Sequence, residues 1–255
     1  MTEYTKHEPG TFSWTDLSTS DLDSAIGLYT DLFGWEVTKE DVPGGVYAMF
    51  RKNGKDVAAA STQREEEKGI PPHWNVYVTV EDAEQTAKRA EAAGGTIVAP
   101  AFDVMEYGRM AVIADPTGAM FCVWEPKTNI GAQVLGETGA LSWSELMTND
   151  TDKAGAFYAE LFGYERTPFG PDGSYTVFMK GETQIAGMMK APQEGMPSVW
   201  GIYFTAEDVD AIADKVKAAG GQVFMEPEDM PDVGRMAVLA DAQGAAFGVV
   251  KNQDS

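Results

Sequence analysis

Two segments of the chain, Trp14-Thr-Asp16 and Trp143-Ser-Glu145, set an indole and a carboxylate two residues apart. In a strand, where side chains alternate between faces, that spacing puts both groups on one side. A carboxylate beside an aromatic face can take up a proton or orient a ligand that stacks on the ring. Arg109 and Arg235 stand in two copies of Gly-Arg-Met-Ala-Val and offer planar forks for a carboxylate, phosphate or oxyanion. Asn75, Tyr77 and Thr79 alternate with Val76, Val78 and Val80, and Gly201, Tyr203 and Thr205 alternate with Trp200, Ile202 and Phe204. The apolar sets suit a helix-covered face, which leaves the polar sets on the side where a ligand would lie.

The last hairpin of the first half turns through Asp115-Pro-Thr-Gly118, the residues a type I turn prefers. Pairing outward from Ala114 opposite Ala119 puts Ala111 opposite Cys122 and Arg109 opposite Trp124. Arg109 then shares the inner face with Cys122 and Trp124, and Arg235 shares it with Gly248 and Val250. In the first strand Trp14 alternates onto the side of Phe12 and Asp16, and Trp143 onto that of Leu141 and Glu145. Each half is thus expected to hold a Trp, a carboxylate, a Tyr, a Thr and an Arg around one pocket. The expected catalytic residues are Asp16, Arg109, Glu145 and Arg235. The expected ligand contacts are Trp14, Asn75, Tyr77, Thr79, Cys122, Trp124, Trp143, Tyr203 and Thr205. Each has a structural alternative: an Arg109–Asp16 ion pair, tryptophans as core filling, and Cys122 as a small buried hydrophobe.

The elements that position these residues occur twice. Trp14-Thr-Asp-Leu-Ser-Thr-Ser-Asp21 matches Trp143-Ser-Glu-Leu-Met-Thr-Asn-Asp150, an offset of 129 (143 − 14). Ala92-Ala-Gly-Gly95 matches Ala218-Ala-Gly-Gly221 at 126 (218 − 92), so a three-residue deletion separates the two registers. The boundary falls in the polar stretch 127–139, dividing the 255 residues into domains over 1–130 and 131–255. Within each half a strand, a helix opened by Asp and closed by Gly, and three further strands occur twice in succession, giving βαβββ modules in an α+β fold.

Cys122 is the only cysteine, which excludes an intrachain disulfide and any site of two thiolates. With 40 acidic against 19 basic side chains the net charge is -21, which repels nucleic acid and anionic membranes. The acidic run Glu65–Glu67 reads as a solvated loop. No signal segment or membrane-length apolar run is visible, and a cytoplasmic location is expected.

Asp21 opening a helix that ends Tyr29-Thr-Asp-Leu-Phe-Gly-Trp35, Val80-Glu-Asp-Ala before Ala92-Ala-Gly-Gly95, and Asp115-Pro-Thr-Gly118 together resemble a vicinal oxygen chelate domain. This is the glyoxalase, bleomycin-resistance and extradiol dioxygenase superfamily, and the second half repeats all three signals. The two-domain glyoxalase-like or hydroxylase-labelled subgroup is the nearer resemblance. It implies a cupped mixed sheet with helices outside, and in metal-dependent members an ion held by His, Glu or Gln inside the cup. The matching positions here are Trp14, a residue near Ala59, Asn75 and Cys122, then Trp143, Ala186 or Gly187, Gly201 and Gly248. None is His, Glu or Gln, so no metal or other cofactor is expected, and with it the lyase and dioxygenase activities lose their Lewis acid. His73 lies two residues ahead of Asn75 on the same face. The remaining readings are a metal-free binder of a small planar or carboxylate-bearing molecule, an enzyme of secondary metabolism or detoxification working through Asp16/Glu145 and Arg109/Arg235, and a surface-interaction protein. Either a monomer or a homodimer is compatible with the duplication.

Overall fold

The computed structural model describes residues 3–67, 69–171 and 173–253. The first half runs β1 (Phe12–Thr19), α1 (Leu22–Phe33), β2 (Glu36–Val42), β3 (Gly45–Lys52), β4 (Lys55–Thr62), β5 (His73–Thr79), α2 (Ala83–Ala92), β6 (Thr96–Val104), β7 (Gly108–Ala114) and β8 (Met120–Pro126). The second runs β9 (Leu141–Thr148), α3 (Thr151–Phe162), β10 (Glu165–Phe169), β11 (Tyr175–Lys180), β12 (Thr183–Lys190), β13 (Val199–Thr205), α4 (Val209–Ala218), β14 (Gln222–Met230), β15 (Gly234–Ala240) and β16 (Ala246–Asn252). Each half is one eight-stranded mixed sheet, ordered β2-β3-β4-β1-β5-β8-β7-β6 and β10-β11-β12-β9-β13-β16-β15-β14. The fold is the expected α+β arrangement of paired βαβββ modules. Among the described residues no helix is long and apolar enough to cross a membrane.

The helix boundaries follow local chemistry. The Asp21 side chain accepts from Ser24 N at 3.0 Å and satisfies a first-turn amide, while Gly34, at φ 66°, closes α1 in a left-handed conformation that costs glycine nothing. Asp150 and Gly163 do the same for α3. The run Glu65–Glu67 forms a short 3-10 turn, not a free loop, and Glu67 Oε1 accepts from Ser18 Oγ at 3.2 Å.

The helix-side faces of both sheets close on one continuous apolar core. Helix α1 lies between the sheets, with Tyr29 against Phe247 (5.3 Å between ring centroids) and Phe33 against Phe204 (5.0 Å). Helix α3 reciprocates, with Tyr158 against Phe121 at 5.5 Å. Each tyrosine is tied at both ends of a buried chain. Trp74 Nε1 donates to Tyr29 Oη (3.1 Å), which donates to Asp241 Oδ2 (3.1 Å); Trp200 Nε1 donates to Tyr158 Oη (2.8 Å), which donates to Asp115 Oδ2 (3.0 Å). Asp115 also holds its own turn, accepting from Thr117 N and Ala119 N. The two concave faces point away from this joint core.

Two details of register differ from the expected pairing. In the β7–β8 hairpin Asp115 N bonds Ala119 O and Gly118 sits at φ 97°, so a type I turn is followed by a bulge residue. Ala114 therefore faces Met120, Val112 faces Cys122 and Met110 faces Trp124. The same bulge at Gly244 shifts β15 against β16. A one-residue slip inverts every side chain, so Arg109 and Arg235 stand on the helix side. In β1 a bulge between Phe12 and Trp14 sends Phe12 into the joint core against Trp200 (4.8 Å), while Trp14 and Asp16 stay in the cup; Leu141 is likewise separated from Trp143.

Candidate functional site

In the first half, Asp16 on β1 is registered between Ala59 on β4 and Asn75 on β5, at the centre of the concave face. Its carboxylate is buried and accepts from three neutral donors. Tyr47 Oη and Tyr77 Oη each donate to Oδ2 at 3.0 Å, and Asn75 Nδ2 donates to Oδ1 at 3.0 Å. Trp14 Nε1 in turn donates to Tyr47 Oη at 3.3 Å. Burial pushes the Asp16 carboxyl above its ordinary range, against the smaller opposing effect of these hydrogen bonds. Burial, reinforced by the Asp16 charge, also raises both tyrosines, which keeps them protonated as donors.

The second half builds the same network from different lengths. Tyr175 Oη donates to Glu145 Oε2 at 2.7 Å, Tyr203 Oη donates to Oε1 at 3.1 Å, and Trp143 Nε1 donates to Tyr175 Oη at 2.9 Å. Burial raises the Glu145 carboxyl and both tyrosines. Glycines make room for the rings. A Cβ at Gly187 would sit 2.8 Å from Trp143 Nε1 and closer still to the Tyr175 ring; one at Gly248 would sit 2.7 Å from Tyr203 Cγ. Gly201, where the first cup has Asn75, is different. A Cβ there would meet nothing nearer than Glu145 O at 3.8 Å.

The structure thus gathers Trp14, Asp16, Asn75, Tyr77, Cys122 and Trp124 in one cup and Trp143, Glu145 and Tyr203 in the other. It does not bring the arginines there. Arg109 reaches Glu84 on α2 at 3.4 Å and Asp103 at 3.7 Å; Arg235 binds Asp210 on α4 through two nitrogens (2.5 and 2.7 Å) and Asp229 at 3.2 Å. Neither the Arg109–Asp16 pair nor an arginine contact with a ligand in the cup survives this placement. The Thr79 hydroxyl is taken by Ser13 Oγ at 2.6 Å and that of Thr205 by Gly136 O at 3.3 Å. Cys122 is buried, and burial beside Asp16 raises its thiol.

Tyr47 and Tyr175 were not singled out from the sequence. Their signal was an internal match, Gly45-Val-Tyr47 against Gly173-Ser-Tyr175, lying between the two clear offsets. The stretch 127–139 is also more than a boundary. It crosses one end of the first cup, where Ala132 N bonds Ser13 O (2.7 Å), Gln133 N bonds Asp56 O (2.8 Å) and Trp124 Nε1 donates to Asn129 O (2.9 Å). His7 Nε2 donates to Ala132 O at 2.7 Å from outside.

The donor set does not fit a divalent ion. The indole N–H groups of Trp14 and Trp143 only donate, Ala59, Gly187, Gly201 and Gly248 carry no side-chain ligand atom, and the Asn75 amide is turned to Asp16. One carboxyl per cup falls short of three or four protein ligands. Among the described residues no three His, Cys, Asp or Glu side chains are grouped to hold a metal. What each cup offers instead is a carboxyl that changes protonation above the usual carboxylate range, two phenolic donors and an aromatic wall.

A sequence model of the Glyoxalase/Bleomycin resistance protein/Dioxygenase superfamily matches residues 11–123 and, a second time, residues 140–249. CFP32 of Mycobacterium tuberculosis, named as a candidate glyoxylase, is 42% identical over 256 residues, covering 98% of this chain and 98% of its own. The anthracycline biosynthesis protein DauV of Streptomyces sp. (strain C5) is 36% identical over 266 residues, covering 98% of this chain and 96% of its own. The Mn(II)-bound glyoxalase from Novosphingobium aromaticivorans matches with a TM-score of 0.66 over 97% of this chain and 85% of its own, at 13% identity. The 2,3-dioxygenase LapB from Pseudomonas sp. KL28 matches with a TM-score of 0.66 over 96% and 94%, at 16% identity. At such identities these two enzymes share the fold with this chain.

Proposed function

Because the chain belongs to the Glyoxalase/Bleomycin resistance protein/Dioxygenase superfamily through both of its halves, we propose that it is a metal-free member that holds an uncharged planar, hydroxylated organic molecule in a cup. The observation that carries this reading is the Trp–Tyr–carboxyl–Tyr network, built once in each cup. Its rings offer stacking faces and its carboxyl accepts a ligand O–H or N–H. A carboxylate-bearing ligand is disfavoured, because Arg109 and Arg235 lie outside the cups and the cup itself holds an acid. The kinship with an anthracycline biosynthesis protein over nearly the whole chain supports a planar polycyclic ligand.

Tryptophan fluorescence and thermal shift against hydroxylated naphthalenes and anthraquinones test this reading. Saturable quenching with stabilisation is expected, and no response across the panel refutes it. Elemental analysis of the purified protein is expected to find no stoichiometric zinc, manganese, iron or nickel. A catalytic reading is favoured by one feature, the raised carboxyl, which suits a general base toward a phenol or an acidic C–H. Its oxyanion partners would be the tyrosine hydroxyls, and Asp16→Asn with Glu145→Gln would abolish turnover.

A further inference from the structure

The two cups are built alike but are not equally open. In the first, the 127–135 stretch crosses one end, and Ser13 and Trp14 are buried beneath it. The corresponding Ser142 and Trp143 are half-buried, and Gln184, matching Asp56, is exposed. Among the described residues no backbone group bonds Ser142 O or Gln184 as Ala132 and Gln133 bond Ser13 and Asp56. Side-chain volume differs in the same sense. Asn75 and Trp124 of the first cup are matched by Gly201 and Val250 of the second.

Hydrogen bonding differs as well. Asp16 accepts from two tyrosines and the Asn75 amide, whereas Glu145 accepts from its two tyrosines and faces Gly201, which has no side-chain donor. A carboxylate has about four acceptor sites, so Glu145 keeps acceptor capacity toward Gly201, where an added Cβ would make only ordinary contacts, with Glu145 O at 3.8 Å and Met147 Cε at 4.0 Å. Arg235 does not line that cup, being committed to Asp210 and Asp229 on the helix side.

Resting on the binding function proposed above, we infer that the second cup alone is the ligand site. It takes an uncharged planar molecule whose O–H or N–H donates to Glu145 where the Asn75 amide donates to Asp16, while the first cup is a sealed copy that supports the fold. The Gly201 backbone forms the floor against which such a molecule lies, and Trp143 and Tyr175 form its wall.

The test uses the full chain and 2,6-dihydroxynaphthalene as probe. One probe per chain is expected, with hydrogen-exchange protection over 141–148 and 199–205. The 2,6-dimethoxy analogue, which lacks the donors, should bind about tenfold to hundredfold more weakly. The anionic 6-hydroxy-2-naphthoate should also bind more weakly. Gly201→Leu places a side chain on the floor, where the first added carbon meets only ordinary contacts; it should lose binding while its melting temperature shows that the variant is folded. Gly201→Asn, which copies the first cup, should weaken binding too. Two probes per chain, protection over 12–19 and 73–79, undiminished binding by Gly201→Leu, or protection confined to the cleft of about 230 Å³ beside Phe33, Lys52 and Asp208 would each overturn the choice of cup while leaving the binding function standing. Absence of binding across the whole panel removes both.

Discussion

Replacing Gly248 by Ala separates steric need from conformational freedom, because Gly201 in the same cup is a matched control. The new Cβ at 248 would lie 2.7 Å from Tyr203 Cγ and nearer still to the ring edge, so the ring must swing away and its 3.1 Å bond to Glu145 breaks. Overpacking of this kind costs about 1–3 kcal/mol, and loss of a hydrogen bond to a buried carboxylate about 1.5–3 kcal/mol. Replacing glycine by alanine returns about 0.4–1 kcal/mol through the unfolded chain. The net expectation is a loss of about 2–5 kcal/mol, a large part of a total of about 5–15 kcal/mol. At Gly201, where no atom lies within 3.8 Å of the new methyl, the unfolded-state gain stands almost alone. Guanidinium unfolding of both variants, compared at unchanged slope, should move the midpoints in opposite directions. A Gly248→Ala variant within about 0.5 kcal/mol of the parent, or a Gly201→Ala variant that is the more damaged, refutes the claim that ring packing dictates glycine at 248.

Burial holds Asp16 and Glu145 above the ordinary carboxyl range. Above that ordinary range the folded chain therefore binds more protons than the unfolded one, and stability should fall as pH rises through the raised values, by about 1.36 kcal/mol for each unit of difference. Asp16→Asn with Glu145→Gln should flatten that slope in chemical denaturation across pH 4–8; an unchanged slope would count against burial as the cause. Arg109→Ala and Arg235→Ala should leave probe affinity within twofold while lowering the melting temperature in a salt-dependent way, and a tenfold loss of affinity would restore the arginines to the site. Tyr158→Phe removes a donor to Asp115 and an acceptor for Trp200 in the joint core, with an expected cost of about 1–3 kcal/mol. Its unfolding should remain a single transition, because both halves share that core; two separated transitions would show the halves melting independently. Adding zinc, manganese or nickel after chelation should leave the melting temperature unchanged, since the cups lack a ligand set.

Much of this was legible in the chain itself. The repeat, the Asp and Gly caps of α1 and α3, the succession of strands and helices and the pairing of Trp with a carboxylate depend on local propensity and on the period of two, and each appears twice. The inward Tyr77 and Tyr203 followed from the same alternation. Tertiary structure decided the remainder. Strand facing inverts with one inserted residue, so the bulges at Gly118 and Gly244 carried Arg109 and Arg235 out of the cups together with the facing of their whole strands, turning Met110 and Val112 inward and Ala111 and Ile113 to the joint core. The partners of a buried carboxyl come from strands 30 or more residues away, as Tyr47 and Tyr175 do, and no local pattern records which hydroxyl will point at which oxygen. The inequality of the cups depends on where the 127–135 stretch runs across the sheet. Periodicity determines which elements form, whereas register and long-range packing determine which side chains meet.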